Sequence, residues 1–151
     1  MSLFIREATP SDWLPVRDLL KEAFDHANYN RIPTDQFTEN RVKRTFHVAV
    51  VSPNALVLVV TDKKHRIHGI FMAQMALNWW GANTAMELAS YCNKPGWMHR
   101  LLRRYKAWAE EQGADSVSVI NSGGNERYNT LIERMGFNKV GAAFMAFPAG
   151  A

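Results

Sequence analysis

Residues 95–113, PGWMHRLLRRYKAWAEEQG, decide the fold because they carry the strongest periodic pattern in the chain. Apolar residues recur there at steps of three and four with charged residues between them, which predicts an amphipathic helix over residues 98–112. Gly113 follows the last turn and predicts the end of this helix. Its apolar positions are Met98, Leu101, Leu102, Tyr105, Trp108 and Ala109.

Strand patterns flank this helix on both sides. Before it, residues 55–60, 67–77 and 85–91 are separated by short turns, which predicts three strands in an antiparallel meander. After it, residues 115–120 predict another strand. Two strands joined through a crossover helix lie parallel, so the sheet is predicted to be mixed. A ligand site is expected where the chain leaves the sheet to enter this helix, between Tyr91 and Met98.

One strand and two helices are predicted before the meander. Residues 3–7 fit a short strand, and residues 9–12, TPSD, supply cap chemistry for a helix that reaches about Phe24. Residues 34–35, TD, can cap a second helix, and residues 47–51 fit either its end or a strand. The side chains assigned to this second helix are Phe37, Arg41, Arg44 and Phe46.

A last helix is predicted near the end of the chain, with Gly136 as its stop. Residues 137–147 then fit one or two closing strands. The predicted order is β-α-α-β-β-β-α-β-α-β(β), an α/β fold in which an antiparallel meander is followed by one parallel crossover. The apolar face of the last helix consists of Tyr128, Leu131, Ile132 and Met135.

The composition is that of a globular protein, with 47% hydrophobic and 21% charged residues among 151. This length fits one domain over residues 1–151, and no apolar stretch approaches the roughly 20 residues that span a bilayer. Cys92 is the only cysteine, which excludes an internal disulfide and a zinc site of several thiolates and agrees with a cytoplasmic location. The net charge of +4 suits a polyanionic ligand such as a nucleotide cofactor, a phosphorylated partner or nucleic acid.

Four segments occur in an order that carries a family resemblance. They are residues 5–12, IREATPSD; residues 86–88, MEL; residues 101–114, LLRRYKAWAEEQGA; and residues 133–137, ERMGF, with Asn125 before the last of them. Together they resemble the GNAT superfamily of acetyltransferases over nearly the whole chain. The third segment is also similar to bacteriophage-encoded GNAT proteins. The resemblance implies a GNAT-like mixed sheet and an acetyl-CoA-dependent transfer of an acetyl group to a primary amine, by direct attack in a ternary complex.

The resemblance places the CoA pyrophosphate on the loop that begins the crossover helix. A helix start has unpaired N–H groups and a partial positive charge, so a closely approaching loop binds a diphosphate through its backbone. The family pattern is Gln/Arg-x-x-Gly-x-Gly/Ala; Asn93, Gly96 and Met98 take those places, and only the glycine matches. Pro95–Gly96 is also a common turn pair. Arg100 fits either the cofactor phosphates or a solvated helix face, and for Arg103 and Arg104 the solvated face is favoured. The implied cofactor-binding residues are Ala89, Tyr91, Asn93, Lys94, Gly96, Trp97, Met98, His99 and Arg100, with Asn121 and Asn125 either at the pantetheine amides or in caps and turns.

Catalysis would need a base that takes a proton from the amine and an acid that protonates the leaving thiolate. Glu87 matches a position where some GNAT enzymes place an acidic base; the sequence leaves open whether it lies in the cleft or bonds to a neighbour such as an arginine. The tyrosine that often serves as the acid falls at position 132, which is Ile132 here. Tyr128 lies one turn earlier on the same helix face and is either the acid or a core residue with a satisfied hydroxyl.

Two hypotheses fit these residues. The first is an N-acetyltransferase acting on a small-molecule or protein amine, and the second is a catalytically inactive GNAT-fold binding or virion-associated structural protein, which Ile132 and Met98 favour. Nucleic-acid binding has only the net charge in its favour, because no recognised motif is present. The sequence does not decide the acceptor, nor between a monomer and a homodimer. The aromatic residues interpreted as packing rather than base-stacking residues are Trp79, Trp80, Tyr105 and Trp108.

Overall fold

The computed structural model describes residues 2–28, 32–33, 36–120, 126–141 and 146. Within them the elements follow the order that the sequence predicts as far as the last helix. A 3-10 turn, Pro10–Asp12, precedes the first helix. In chain order the elements are β1 (Leu3–Glu7), α1 (Trp13–Asn28), α2 (Glu39–Val51), β2 (Ala55–Asp62), β3 (Ile67–Leu77), β4 (Asn83–Cys92), α3 (Trp97–Glu111), β5 (Ser116–Ser118) and α4 (Glu126–Arg134).

The strands form one five-stranded sheet in the order β1-β2-β3-β4-β5. Strands β1 to β4 pair antiparallel with their neighbours, and β4 pairs in parallel with β5. The predicted meander, the parallel crossover through α3 and the mixed α/β sheet are therefore confirmed.

The sheet separates two apolar cores. The first core lies between the sheet and helices α1 and α2, and the second core lies between the sheet and helices α3 and α4. Strand β2 contributes to both, because alternate side chains of a strand point to opposite faces. Val57 and Val59 lie in the first core, whereas Leu58 and Val60 lie in the second. Burial on both faces explains why this strand is an unbroken apolar run.

Asp12 organises the start of α1. Its carboxylate accepts a 2.8 Å hydrogen bond from the backbone N–H of Thr9 and hydrogen bonds of 2.8 and 2.9 Å from the Arg6 guanidinium. The hydrogen bond from Arg6 lowers the pKa of Asp12, so the carboxylate stays charged. The helix continues about one turn beyond the predicted end near Phe24 and finishes at Asn28.

The start of α2 differs from the prediction. The helix begins at Glu39 with Thr38 at its N-cap, and the predicted cap at residues 34–35 lies outside the described residues. The physical reason is that the apolar stripe buried by this helix begins only at Val42 and continues through Phe46, so no earlier turn is needed.

The structure also shows which residues flank and end α2. Phe37 precedes α2 instead of lying on it, and its ring packs 5.4 Å from that of Phe24. Residues 47–51, which fit a strand or a helix end, are helical.

None of the helices in the described part of the chain is long and apolar enough to cross a membrane.

The second half of the chain agrees with the prediction up to α4. The turns after α3 and α4 contain Gly113 and Gly136 with φ angles of +74° and +92°, the left-handed conformation that favours glycine. β5 is shorter than the predicted range of 115–120, because its pairing with β4 stops at Ser118. Residues 137–141 form no strand, so the closing strands predicted over 137–147 are wrong for that part; of the remainder, only residue 146 is described, and it is not in a strand.

Of the aromatic residues interpreted as packing residues, Tyr105 lies in the second core and Trp108 packs against it, whereas Trp79 and Trp80 are exposed and are not part of either core. Tyr105 is fully buried in the second core, and the ring of Trp108 stacks 6.4 Å from it. Trp79 and Trp80 lie in the exposed turn between β3 and β4, where their rings meet edge to face at 5.3 Å.

Candidate active site

Strand β4 loses its neighbour on one side partway along its length. The parallel pairing with β5 ends at Met86, opposite Ser118, and among the described strands none pairs with β4 on that side between Glu87 and Cys92. The sheet therefore opens toward the carboxyl end of the strand that enters the crossover. This is the place where a sheet of this kind offers free backbone groups to a ligand.

A β-bulge lies in β4 at the start of this opening. Two adjacent residues of β3 pair with Glu87 and Ala89, so Leu88 between them has no partner. The extra residue interrupts the alternation of side chains, and Ala89 packs against the first core. Glu87 and Ser90, which would point to opposite faces of a regular strand, consequently share the face covered by α3 and α4.

The Glu87 carboxylate is buried, with only 8% of the residue exposed, but it is not isolated. Ser90 Oγ donates a 2.9 Å hydrogen bond to Oε2, and the backbone N–H of Ile120 lies 3.4 Å from Oε1. Burial raises the pKa of Glu87 to about 7, even though these hydrogen bonds act in the opposite direction. No described arginine or lysine forms an ion pair with it, so the arginine alternative is not realised within the described residues.

Tyr128 of α4 brings a hydroxyl to the same carboxylate. Its oxygen lies 3.5 Å from Glu87 Oε1, at the limit of hydrogen-bonding distance. Burial and the charge of Glu87 raise the pKa of Tyr128, so its hydroxyl stays protonated at neutral pH. The Tyr105 hydroxyl has a different role, since it donates a 2.7 Å hydrogen bond to the backbone oxygen of Ser118. Ile132 is half-buried against the second core, one turn from Tyr128.

The loop between β4 and α3 can accept an anion. Gly96 has φ +82° and caps α3, and a Cβ placed on it would meet nothing within 4 Å, so the loop is open on that side. No side chain caps the helix, and its first turn contains no acidic residue. One N–H is already used, because Trp97 donates a 3.4 Å hydrogen bond to the backbone oxygen of Lys94. The remaining positive potential of this helix start favours a negatively charged group.

Three of the cofactor-binding side chains that the sequence assigns to β4 and the following loop lie on the side of the sheet that α1 covers. Ala89 and Tyr91 pack against the first core, and the ring of Tyr91 lies 5.9 Å from that of His26. The side-chain amide of Asn93 donates a 3.4 Å hydrogen bond to Glu22. These contacts engage the side chains of Ala89, Tyr91 and Asn93 and leave the backbone of this segment for the opening.

The corresponding side chains of α3 contact one another or the second core. Trp97 and Met98 pack against the second core, and the Arg100 guanidinium lies 4.3 Å from the centre of the Trp97 ring. His99 lies 3.2 Å from Arg103. Asn121 and Asn125 lie outside the described residues.

Two members of the site are not identifiable by sequence reasoning. They are Ser90 and the backbone N–H of Ile120, both of which contact Glu87. In a regular strand Ser90 would face away from Glu87, and a backbone group carries no sequence signal. Only a bulge at Leu88, which depends on pairing with β3, brings Ser90 to this carboxylate.

Known structures with the same architecture identify the fold. An acetyltransferase described as predicted, from Clostridium acetobutylicum and solved with acetyl-CoA, matches with a TM-score of 0.77 at 10% identity, over 97% of this chain and 96% of that one. The chain has the GNAT fold. Glucosamine-6-phosphate N-acetyltransferase from Arabidopsis thaliana matches with a TM-score of 0.73 at 11% identity, over 97% of this chain and 99% of that one. A GNAT family acetyltransferase from Staphylococcus aureus gives 0.65 at 18% identity, with the same coverage of 97% and 99%.

The sequence identity to these proteins is low, at 10–18%. No protein-family model matches this chain, and no curated protein has a significantly similar sequence. None of the three structures named above comes from a bacteriophage, so the similarity to bacteriophage-encoded proteins gains no support from them.

Proposed function

We propose that this chain is a cytoplasmic acetyl-CoA-dependent N-acetyltransferase, a single domain over residues 1–151 that acetylates a primary amine by direct attack. The observation that carries the proposal is the buried pair of Glu87 and Tyr128 at the opening between β4 and β5. The carboxyl has a pKa of about 7, and the hydroxyl lies 3.5 Å from it. A base with a pKa near neutrality beside a protonated hydroxyl is suited to move a proton between two substrates.

The backbone of residues 94–100 would hold the CoA pyrophosphate. The open side of Gly96 leaves space for it, and the start of α3, which no described side chain caps, favours its negative charge. Arg100 begins the second turn of α3 and adds positive charge. The edge of β4 from Ala89 to Tyr91, which no described strand pairs on the β5 side, would contribute backbone groups to the pantetheine, and the amides of Asn121 and Asn125 complete the proposed set.

Glu87 and Tyr128 would each carry out one of the two proton transfers. Acetyl-CoA supplies the thioester carbon to which the amine nitrogen bonds and the sulfur that leaves. Glu87 takes the proton that the amine loses, and Tyr128 gives its hydroxyl proton to the departing sulfur. The proton now on Glu87 can return to Tyr128 across their 3.5 Å contact, which restores both groups. Ser90 and the Ile120 N–H hold the carboxylate in place during the transfer.

The direct test is a calorimetric titration with acetyl-CoA together with mass-spectrometric detection of acetylated products from a panel of primary amines. Binding at 100 times the dissociation constant should stabilise the folded protein by about 2.7 kcal/mol in thermal unfolding. We expect saturable binding and one or more acetylated amines. Binding without transfer to any amine would remove the enzymatic part of the proposal.

The alternative is a GNAT-fold protein without catalytic activity, acting as a binding or virion-associated structural module. Its specific support is Ile132, an apolar residue packed against the second core where the resemblance implies a tyrosine. A chain that binds neither CoA nor acetyl-CoA in the titration would favour this alternative.

A further inference from the structure

A cavity lies on the opposite face of the sheet from Glu87. It has a volume of about 300 Å³ and is bounded by α2, the start of β2, the end of β3 and the bulge of β4. This volume is at the small end of the range for ligand pockets, so it fits a small molecule. Its apolar lining consists of Val48, Ala49, Ala55, Met75 and Leu88.

Among the described residues that line this cavity, Arg44 alone is charged. Its side chain has no ion pair or hydrogen bond to any other described residue, and the acidic residue at the start of α2, Glu39, pairs with Arg17 at 3.3 Å instead. The side-chain amide of Gln74, also in the lining, has no described partner. Ser52 Oγ, by contrast, is used in the turn before β2, where it accepts a 3.2 Å hydrogen bond from the backbone N–H of Asn54.

The cavity ends at β4, the strand that carries Glu87. Leu88, which lines it, is the unpaired residue of the bulge and directly follows Glu87. At this point β4 has already lost β5 as its neighbour, because their pairing stops at Met86. A ligand on the α2 face therefore lies next to the place where the sheet is open toward the Glu87 carboxylate.

We propose, on the basis of the function given above, that this cavity binds the acetyl acceptor and that the acceptor is a small primary amine with an apolar group and a carboxylate. The guanidinium of Arg44 binds the carboxylate, with the Gln74 amide as a second donor. The apolar lining takes the apolar group, and the amine extends past Leu88 into the opening. An amine without a negative charge leaves Arg44 without a counter-charge and binds less well.

Matched acceptors test this assignment. Phenylalanine and leucine are compared with phenethylamine and isoamylamine, which have the same apolar groups and lack the carboxylate. We expect kcat/KM for the acidic member of each pair to exceed that of the neutral member by about 10-fold, the value of one charged hydrogen bond. Arg44→Gln should remove this preference, mainly through a higher KM for the acidic acceptors. Arg41→Gln makes the same change of charge one turn earlier on α2, outside the cavity, and should keep the preference.

A binding measurement separates this inference from the proposed function. Fluorine NMR with para-fluorophenylalanine and para-fluorophenethylamine reports occupancy of the cavity whether or not acetyl transfer occurs. Tighter binding of the amino acid, lost in Arg44→Gln and kept in Arg41→Gln, supports the inference even if no product forms. Equal binding of the two probes, or a preference for acidic acceptors that survives Arg44→Gln, would overturn it. Transfer to neutral amines alone would leave the proposed function in place and refute the assigned acceptor class.

Discussion

Ser90 Oγ donates a 2.9 Å hydrogen bond to Glu87 Oε2, although the two residues are three positions apart on one strand. Side chains at that separation point to opposite faces of a regular strand, so the contact exists only because Leu88 is bulged out of the pairing with β3. This hydrogen bond favours the charged form of Glu87 and partly offsets the effect of burial. The bulge thus affects both the orientation and the acidity of the proposed base.

Replacement of Ser90 by alanine should raise the pKa of Glu87 above its value of about 7. Loss of one hydrogen bond to a carboxylate corresponds to roughly half to one pH unit. Since the proposed base is active only when deprotonated, the rise of kcat/KM with pH should shift to higher pH by that amount. Carbon NMR titration of the Glu87 carboxyl measures the same shift without reference to activity. Ser90→Thr retains the hydroxyl and should restore the original profile; an unchanged titration in Ser90→Ala would show that the hydrogen bond has no effect on the base.

Glu87→Gln should lower turnover by roughly 10²-fold or more, because the amide cannot accept the proton of the amine. Affinity for acetyl-CoA should change little, since the proposed contacts to the pyrophosphate are made by the loop before α3. Single-turnover kinetics and calorimetry on the same preparation separate the two quantities. Wild-type turnover in this variant would mean that the chemistry depends mainly on positioning the two substrates.

Glu87 should also make the folded state less stable as the pH rises. Its pKa is about 7 in the folded protein and near its ordinary value of 4.5 in the unfolded chain, so the folded state binds more protons between these values. The free energy of unfolding therefore decreases as the pH rises from about 4.5 to about 7, by an amount on the order of 3 kcal/mol. Glu87→Gln removes this contribution, so the variant should match the wild type near pH 4 and exceed its stability at pH 8. Urea unfolding at both pH values measures the difference; the opposite contribution of Asp12, whose pKa is lowered, is common to both proteins and cancels.

The sequence predicts the elements of this fold better than the contacts of its site. Periodic apolar spacing identifies α3, and glycines mark the ends of α3 and α4, because these are local properties of the chain. The start of α2 is less well determined, since residues 34–35 and Thr38 are both acceptable caps and only burial of Val42 and Phe46 distinguishes them. The local sequence pattern does not determine a helix boundary that depends on packing against residues distant in the chain.

The residues of the candidate site show this limit directly. Glu87 and Tyr128 are each identifiable from the sequence, but their 3.5 Å contact depends on how α4 packs on the sheet. The spacing places Asn93 at a cofactor-binding position, yet its amide bonds to Glu22, which lies 71 residues earlier in the chain. Ser90 is recognisable only once the register between β3 and β4 is known.

Gly96→Val should abolish binding of acetyl-CoA while leaving the fold intact. A β-branched side chain at this position fills the open side of the loop that the pyrophosphate needs, and the φ of +82° adds backbone strain of about 1–2 kcal/mol. Gly113→Val is the matched control, because Gly113 has φ +74° and equally open surroundings at the other end of α3. Both variants should lose similar stability in thermal unfolding, and only Gly96→Val should lose binding in calorimetry. Equal affinities in the two variants would exclude this loop as the pyrophosphate site.

Tyr128→Phe tests the proposed acid, since it removes the hydroxyl beside Glu87 and little else. Without this proton donor for the leaving thiolate, the reaction should be slower by roughly 10²-fold at constant KM, which is in the usual range for general acid catalysis. Tyr105→Phe is the control: its hydroxyl bonds to the backbone of Ser118, so its loss should reduce stability and not turnover. Because Ile132 lies one turn from Tyr128 on the same helix face, Ile132→Tyr in the Tyr128→Phe background offers a second hydroxyl to the opening, and partial recovery of turnover would locate the thiolate beside α4. If Tyr128→Phe turns over at the wild-type rate, the thiolate takes its proton from another source, and the contact between Tyr128 and Glu87 serves only to hold the carboxylate.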